Sequence, residues 1–133
     1  MLDFSPPASL EWVDLSDNKI EKIDRVSINP YLRHLYLDRN LIENVENLNT
    51  NTHLKVLSLN SNRISKIENI DNMHLEELYL SDNKLTKITG LALLPSLRTL
   101  DLSQNQITFL RGLEHVDSLR FLNLSQNKIA KIR

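Results

Sequence analysis

The sequence predicts a solenoid: a one-dimensional stack of similar coils whose short strands form a single parallel sheet. Three observations carry this reading. An asparagine recurs at Asn18, Asn40, Asn62, Asn83, Asn105 and Asn127, at separations of 22, 22, 21, 22 and 22 residues. Before each asparagine stands an opening aliphatic residue (Leu10, Leu32, Leu54, Leu75, Leu97, Leu119) followed by a pair two residues apart: Val13/Leu15, Leu35/Leu37, Leu57/Leu59, Leu78/Leu80, Leu100/Leu102 and Leu122/Leu124. After each asparagine comes a second aliphatic set: Ile20/Ile23/Val26, Ile42/Val45/Leu48, Ile64/Ile67/Ile70, Leu85/Ile88/Leu91, Ile107/Leu110/Leu113 and Ile129/Ile132. Such a unit cannot bury its apolar side alone, and stacking on its neighbours supplies the missing cover.

One unit is complete between Leu54 and Ile70, Leu-Lys-Val-Leu-Ser-Leu-Asn-Ser-Asn-Arg-Ile-Ser-Lys-Ile-Glu-Asn-Ile. On this pattern the chain resembles the 22-residue class of leucine-rich repeats typified by the nuclear regulatory subunit of protein phosphatase 1. That class includes the spliceosomal A-prime protein, the leucine-rich axonemal dynein light chain and several ciliary and centrosomal proteins. The resemblance covers essentially all 133 residues. It implies an α/β-type leucine-rich-repeat solenoid, right-handed, with a curved parallel β-sheet on the concave face and 3-10 turns or irregular backbone on the convex side. The expected division is a single domain over 1-133, with coils at 10-31, 32-53, 54-74, 75-96, 97-118 and an incomplete one at 119-133.

Each coil should begin with a strand, because residues two apart project to the same side of an extended chain. Parallel neighbours then lie about 4.8 Å apart. The recurring asparagine turns the chain out of the strand, and its amide can bond the backbone of the adjacent coil. An unpaired buried amide group there would cost about 1–3 kcal/mol, so Asn18, Asn40, Asn62, Asn83, Asn105 and Asn127 are expected to form a structural ladder. Pro30 and Pro95, each two residues before an opening leucine, together with Gly90 and Gly112, argue for turns on the return path. The segment Asn47 to His53 has turn chemistry. The third coil is one residue short and should show a local irregularity.

Residues 1–9 align with the end of the first coil, Met1 on Ile23 and Phe4 on Val26, and read as the tail of a preceding coil or an N-terminal cap. At the other end the chain stops soon after Ile132. Solenoids need covered ends, so the expectation is a fragment of a larger protein, or end-to-end self-association through the uncapped termini.

Composition narrows the function. A 41% apolar content suffices for a core. The 16 basic and 17 acidic residues give a net charge of -1, which argues against nucleic acid as the main partner. No run approaches the roughly 18 apolar residues of a membrane span, and the first residues do not show the basic-then-apolar pattern expected of a signal peptide. The chain has no cysteine. Secreted repeat proteins of this kind usually close their ends with disulfides, so an intracellular, cytoplasmic setting is expected, with the nucleus, cilium or centrosome as variants. The one glycosylation sequon, Asn123-Leu124-Ser125, falls inside a core strand motif and reads as unused.

Catalytic chemistry finds no support. Nothing pairs a nucleophile with a base or builds a Gly-rich phosphate loop, and the two glycines are accounted for by turns. His53 and His74 should stack on neighbouring coils, but they lack the further ligands that structural zinc requires. No cofactor, metal site or enzymatic activity is therefore expected. A basic ridge is expected from Lys19/Lys22, Arg63/Lys66, Lys84/Lys87 and Lys128/Lys131, diluted by Glu21, Glu43, Glu46 and Glu68. Nucleic-acid binding there would fall steeply with salt.

The concave face is the more informative surface. Its outward residues are Trp12 and Asp14, His34 and Tyr36, Val56 and Ser58, Glu77 and Tyr79, Thr99 and Asp101, and Phe121 and Asn123. A further small polar row follows: Ser16, Asp38, Asn60, Ser81, Ser103 and Ser125. Large rings that the core does not need are characteristic of interfaces. The candidate partner-binding residues are Trp12, Asp14, His34, Tyr36, Asp38, Glu77, Tyr79, Asp101, Phe121 and Asn123. They suit a protein partner with basic and apolar groups, such as a helix laid across the strands. The expected function is a non-catalytic protein-interaction scaffold. The alternative is the targeting or regulatory arm of a larger enzyme or of a ciliary or centrosomal protein. The resemblance implies phosphatase regulation as one form of this; it carries over the repeat frame and the acidic, aromatic character of the face, and no individual residue.

Overall fold

The computed structural model describes residues 7–24, 29–70 and 74–132. It contains six strands of three residues each: β1 (Trp12–Asp14), β2 (His34–Tyr36), β3 (Val56–Ser58), β4 (Glu77–Tyr79), β5 (Thr99–Asp101) and β6 (Phe121–Asn123). They form one sheet in sequence order, every neighbour parallel. The register is strict: Val13 pairs with Leu35, Leu35 with Leu57, Leu57 with Leu78, Leu78 with Leu100 and Leu100 with Leu122. Equivalent positions of the repeat therefore stand side by side in rows across the sheet. The described residues contain no helix; turns, bends and irregular backbone make the return path.

The core follows the leucine pattern. The opening leucines Leu32, Leu54, Leu75 and Leu97 are fully buried, as are the inward pairs of β2 to β5 and the aliphatics Ile42, Ile64, Leu85 and Ile107 behind them. Each such side chain contributes about 1.5–3 kcal/mol of burial. Cover thins toward both ends: Leu10, Leu15, Leu119, Leu124 and Ile129 are only partly buried, and Ile132 is 88% exposed.

Two backbone devices let the chain turn. The residue before every ladder asparagine has positive φ: Asp17, Arg39, Ser61, Asp82, Gln104 and Gln126, between 53° and 60°. A second left-handed site recurs at Asn47, Asn69, Gly90 and Gly112, where the chain passes close to a carbonyl of the coil before it. Amide-to-carbonyl turns lead into the opening leucines Leu32, Leu54 and Leu119, from Leu32 to Asn29 at 3.2 Å, Leu54 to Asn51 at 3.1 Å and Leu119 to Val116 at 3.2 Å. Leu10 bonds Pro7 in the same way, and the Asn29 amide reaches back to the Pro7 carbonyl at 2.8 Å. The alignments of Met1, Phe4 and Val26 lie outside the described residues, as does 71–73, where the missing residue of the third coil falls.

Candidate protein-interaction face

The asparagine ladder fixes the spacing of the coils. Asn62 shows the pattern: its side-chain amide donates to Leu37 O on the preceding coil at 2.9 Å and to its own Leu59 O and Asn60 O, while its Oδ1 accepts the Ile42 amide at 3.0 Å. Asn40, Asn83, Asn105 and Asn127 repeat these bonds one coil apart. Asn18, exposed in the first coil, donates to Leu15 O and Ser16 O of its own coil. Both faces of each buried amide are thus satisfied by backbone, and the outward side chains of the sheet stand on a rigid support.

On that support the first outward row reads Trp12, His34, Val56, Glu77, Thr99, Phe121, and the second Asp14, Tyr36, Ser58, Tyr79, Asp101, Asn123. Trp12 is 57% exposed, and its ring meets Tyr36 with centroids 5.5 Å apart and planes tilted by 48°. Phe121 is 70% exposed. It lies five strands from Trp12, about 24 Å at the usual spacing, so the two most exposed rings stand at opposite ends of the face, with Tyr79 on β4 between them.

Between them the face is polar and braced. Val56 and Ser58, outward by alternation, are only 6% and 3% exposed. Their short side chains sit in register between His34 and Glu77, and between Tyr36 and Tyr79, whose larger groups cover them. This strand therefore offers little accessible surface on the outward face. Asp38 Oδ1 accepts from the Ser58 hydroxyl and from the Asn60 amide at 2.8 Å. Tyr79 donates its phenol to Glu77 Oε1. Burial, and then this bond, push the Tyr79 phenol up to about 12. Asp101 Oδ1 takes both the hydroxyl and the amide of Ser103, and Asn123 Oδ1 takes the Ser125 amide. At the exposed end, bonds from the Ser16 hydroxyl and amide hold the Asp14 carboxyl below the usual carboxylate range. All ten proposed contact residues thus lie on one face, with Trp12 joined to Tyr36 and Glu77 joined to Tyr79.

The basic residues of the expected ridge are exposed, and Lys66 lies 3.7 Å from Glu68. His53 sets its ring 6.0 Å from that of Tyr31. Among the described residues no group of three or more His, Asp or Glu comes together as a metal site, and no helix is long and apolar enough to cross a membrane.

The structure adds two sets of residues that the repeat pattern left unremarked. One is a charged edge row directly after the opening leucines: Glu11, Arg33, Lys55, Glu76, Arg98 and Arg120. Its signal was available, since the residue after every opening leucine is charged. Arg33 bonds Glu11 at 3.0 Å and Lys55 meets Glu76 at 3.8 Å. The other is a minor ladder at the second left-handed site, where Asn47 donates to Ile23 O at 2.6 Å and Asn69 to Val45 O at 2.8 Å.

The family profile described as Leucine rich repeat matches residues 30–85, 52–107 and 73–129. No curated protein sequence matches the chain significantly. Among solved structures, the chain is 31% identical to an internalin C2 from Listeria monocytogenes over 89% of its own length and 53% of that chain, with a TM-score of 0.83. It is 30% identical to the functional domain of internalin J from the same organism over 100% of its own length and 29% of that chain, at 0.84. A leucine-rich-repeat protein of Leptospira interrogans is 26% identical over 93% of this chain and 33% of that chain, at 0.85. The chain therefore spans about half or less of the length of these structures. The internalin J domain includes a cysteine ladder, whereas the present chain, without cysteine, stacks its coils with asparagine. Its repeat frame, its in-register parallel sheet and these matches all agree: the chain belongs to the leucine-rich-repeat family.

Proposed function

We propose that the chain is a non-catalytic protein-interaction module that holds a partner protein on the outward face of its sheet. The observation that carries this is the placement of Trp12, Tyr36 and Phe121. Trp12 and Phe121 are well exposed on strands whose core is filled from the other side, so these rings are not needed to complete the core. Rigid aromatic groups of this kind act as anchors when a partner desolvates them. The carboxylates Asp14, Asp38, Glu77 and Asp101 between the two aromatic ends favour a partner with basic as well as apolar groups. Leucine-rich-repeat domains are characteristically protein-interaction scaffolds, which supports the reading at the level of the family. Coil lengths of 21 and 22 residues support placing the chain with the 22-residue class.

The test is capture of partners from a lysate by the native chain and by a Trp12→Ala/Tyr36→Ala/Phe121→Ala variant, with circular dichroism confirming that the variant is folded. A partner retained only by the native chain supports the reading. A folded variant that retains the same partner equally well sinks it.

A further inference from the structure

Four members of the charged edge row neutralise one another in two pairs, Glu11 with Arg33 and Lys55 with Glu76. The last two members are both arginines. Arg98 and Arg120 immediately precede β5 and β6 and stand on adjacent coils, tied by the Arg120 amide to the Arg98 carbonyl at 2.8 Å. Among the described residues neither has an ion pair. Like charges facing each other on neighbouring strands are destabilising, so this placement stores an unmet demand for negative charge.

The two arginines line an open recess of about 330 Å³ together with Glu76, Ser96 and Ser118. The carboxylate on its wall, Glu76, is engaged by Lys55. Ser118 already donates its hydroxyl to Leu97 O at 2.6 Å, and Arg120 Nη1 bonds the carbonyls of Asp117 and Leu119, which fixes that arm of the guanidinium and leaves Nε and Nη2 as its remaining donors. The equivalent recess at the other end of the row, lined by Ser9, Glu11, Tyr31, Arg33 and His53, has about the same volume, 320 Å³, but there Glu11 occupies the arginine. The molecule thus contains both a neutralised and an open version of one groove. A single carboxylate would offset one guanidinium; a phosphate monoester carries a charge of about −1.5 to −2 near neutrality and three acceptor oxygens, which the two guanidiniums and the Ser96 hydroxyl can meet.

We propose that the recess formed by Ser96, Arg98, Ser118 and Arg120 binds a phosphorylated side chain of the protein partner. The inference rests on the sheet-face reading above for the partner, since Phe121 and Thr99 stand beside the recess on that face. The recess itself is testable without the partner. Backbone amide resonances of the chain are followed while N-acetyl-phosphoserine amide is added at low ionic strength, with N-acetyl-glutamate amide and a single-stranded oligothymidylate as comparisons. The expected result is saturable movement of the Arg98, Thr99, Arg120 and Phe121 amides with half-saturation at about 1–10 mM, in the range of a single well-placed anion. Binding should weaken by at least about tenfold in Arg98→Gln/Arg120→Gln, and also in Arg120→Gln alone, as loss of a charge-assisted bond requires.

Absence of saturation below about 50 mM, equal binding of the glutamate probe, or undiminished binding by the arginine variants would each overturn the proposal. So would tighter binding of the oligonucleotide at the same amides, which would assign the recess to nucleic acid. Phosphoserine binding in a protein whose captured partner ignores the aromatic substitutions would support the recess and count against the sheet-face reading alone.

Discussion

A methyl group placed on Gly112 would stand 2.1 Å from the carbonyl oxygen of Ile88, one coil back. The φ of Gly112 is 107°, a region that side chains strain to reach. Gly112→Ala should therefore cost about 2–4 kcal/mol, combining overpacking with backbone strain. A urea midpoint unchanged from the parent would refute the contact.

Gly90 occupies the equivalent place one coil earlier, with a virtual Cβ 2.8 Å from Ile67 O and a φ of 73°. Asn47 and Asn69 fill the same site at φ of 60° and 59° and turn the close carbonyl into a hydrogen-bond acceptor. Gly90→Asn should accordingly cost less than Gly90→Ala, because its amide can bond the carbonyl that the new Cβ crowds in both variants. Denaturation of the two variants side by side checks this, and equal losses would show that the amide gives no relief.

The main ladder should be graded along the chain. Asn62→Ala leaves the buried Ile42 amide without its acceptor, at about 1–3 kcal/mol, while the Leu37 carbonyl keeps its bond from Asn40. Asn18→Ala removes only bonds within its own exposed turn and should cost no more than about 1 kcal/mol. Similar losses at both sites would contradict the view that stacking, and not the turn alone, is what the asparagine secures.

Asp17 and Arg39 stand at equivalent left-handed positions of adjacent coils, joined by two bonds of 2.6 and 2.8 Å. The Arg39 guanidinium holds the Asp17 carboxyl below its ordinary value of 3.8. A carboxyl depressed in the folded state adds stability above its unfolded pKa and loses it as pH falls through the folded pKa. The pair's contribution should therefore be present at neutrality and vanish under acid conditions. In Arg39→Gln the Asp17 titration followed by carbon NMR should move up toward 3.8; no movement would mean the pair is absent in solution.

Tyr79 should ionise only near pH 12. Burial is the larger cause and the Glu77 bond the next, so Glu77→Gln should lower the value while leaving it above 10.0, the ordinary tyrosine value. Ultraviolet titration reads this directly, and a return to 10.0 would reverse the order of causes.

Most of the architecture was written in the aliphatic spacing, because one side of every strand must be apolar and a shift of one residue would turn it outward. That argument reaches Leu57 and Leu100 but says nothing of Val56 and Ser58, whose burial depends on the size of His34, Glu77 and the two tyrosines beside them. The positive φ before each ladder asparagine was also illegible, since Asp17, Arg39, Ser61, Asp82, Gln104 and Gln126 share no chemistry; the conformation is imposed by the bonds on either side. Asn47, Asn69, Gly90 and Gly112 did leave a trace, a recurrence of the two residue types that most readily accept that backbone. The aromatic and acidic residues of the face could be placed on their strands from the repeat. Which of them touch could not, because Trp12 against Tyr36 and Tyr79 against Glu77 are relations between side chains of unequal reach.

The strict register has a consequence for any helix that lies across the strands. The sheet is a ruler graduated about every 4.8 Å, whereas a helix advances about 5.4 Å per turn. The two scales slip by about 0.6 Å per strand, and by about 3 Å over the five intervals between Trp12 and Phe121. Like a vernier, they coincide over two or three graduations and then fall out of phase. A straight helix that seated one turn against Trp12 and Tyr36 would arrive at Phe121 more than half a graduation out of step, so a helical partner engaging both ends would need a bend or a break between them.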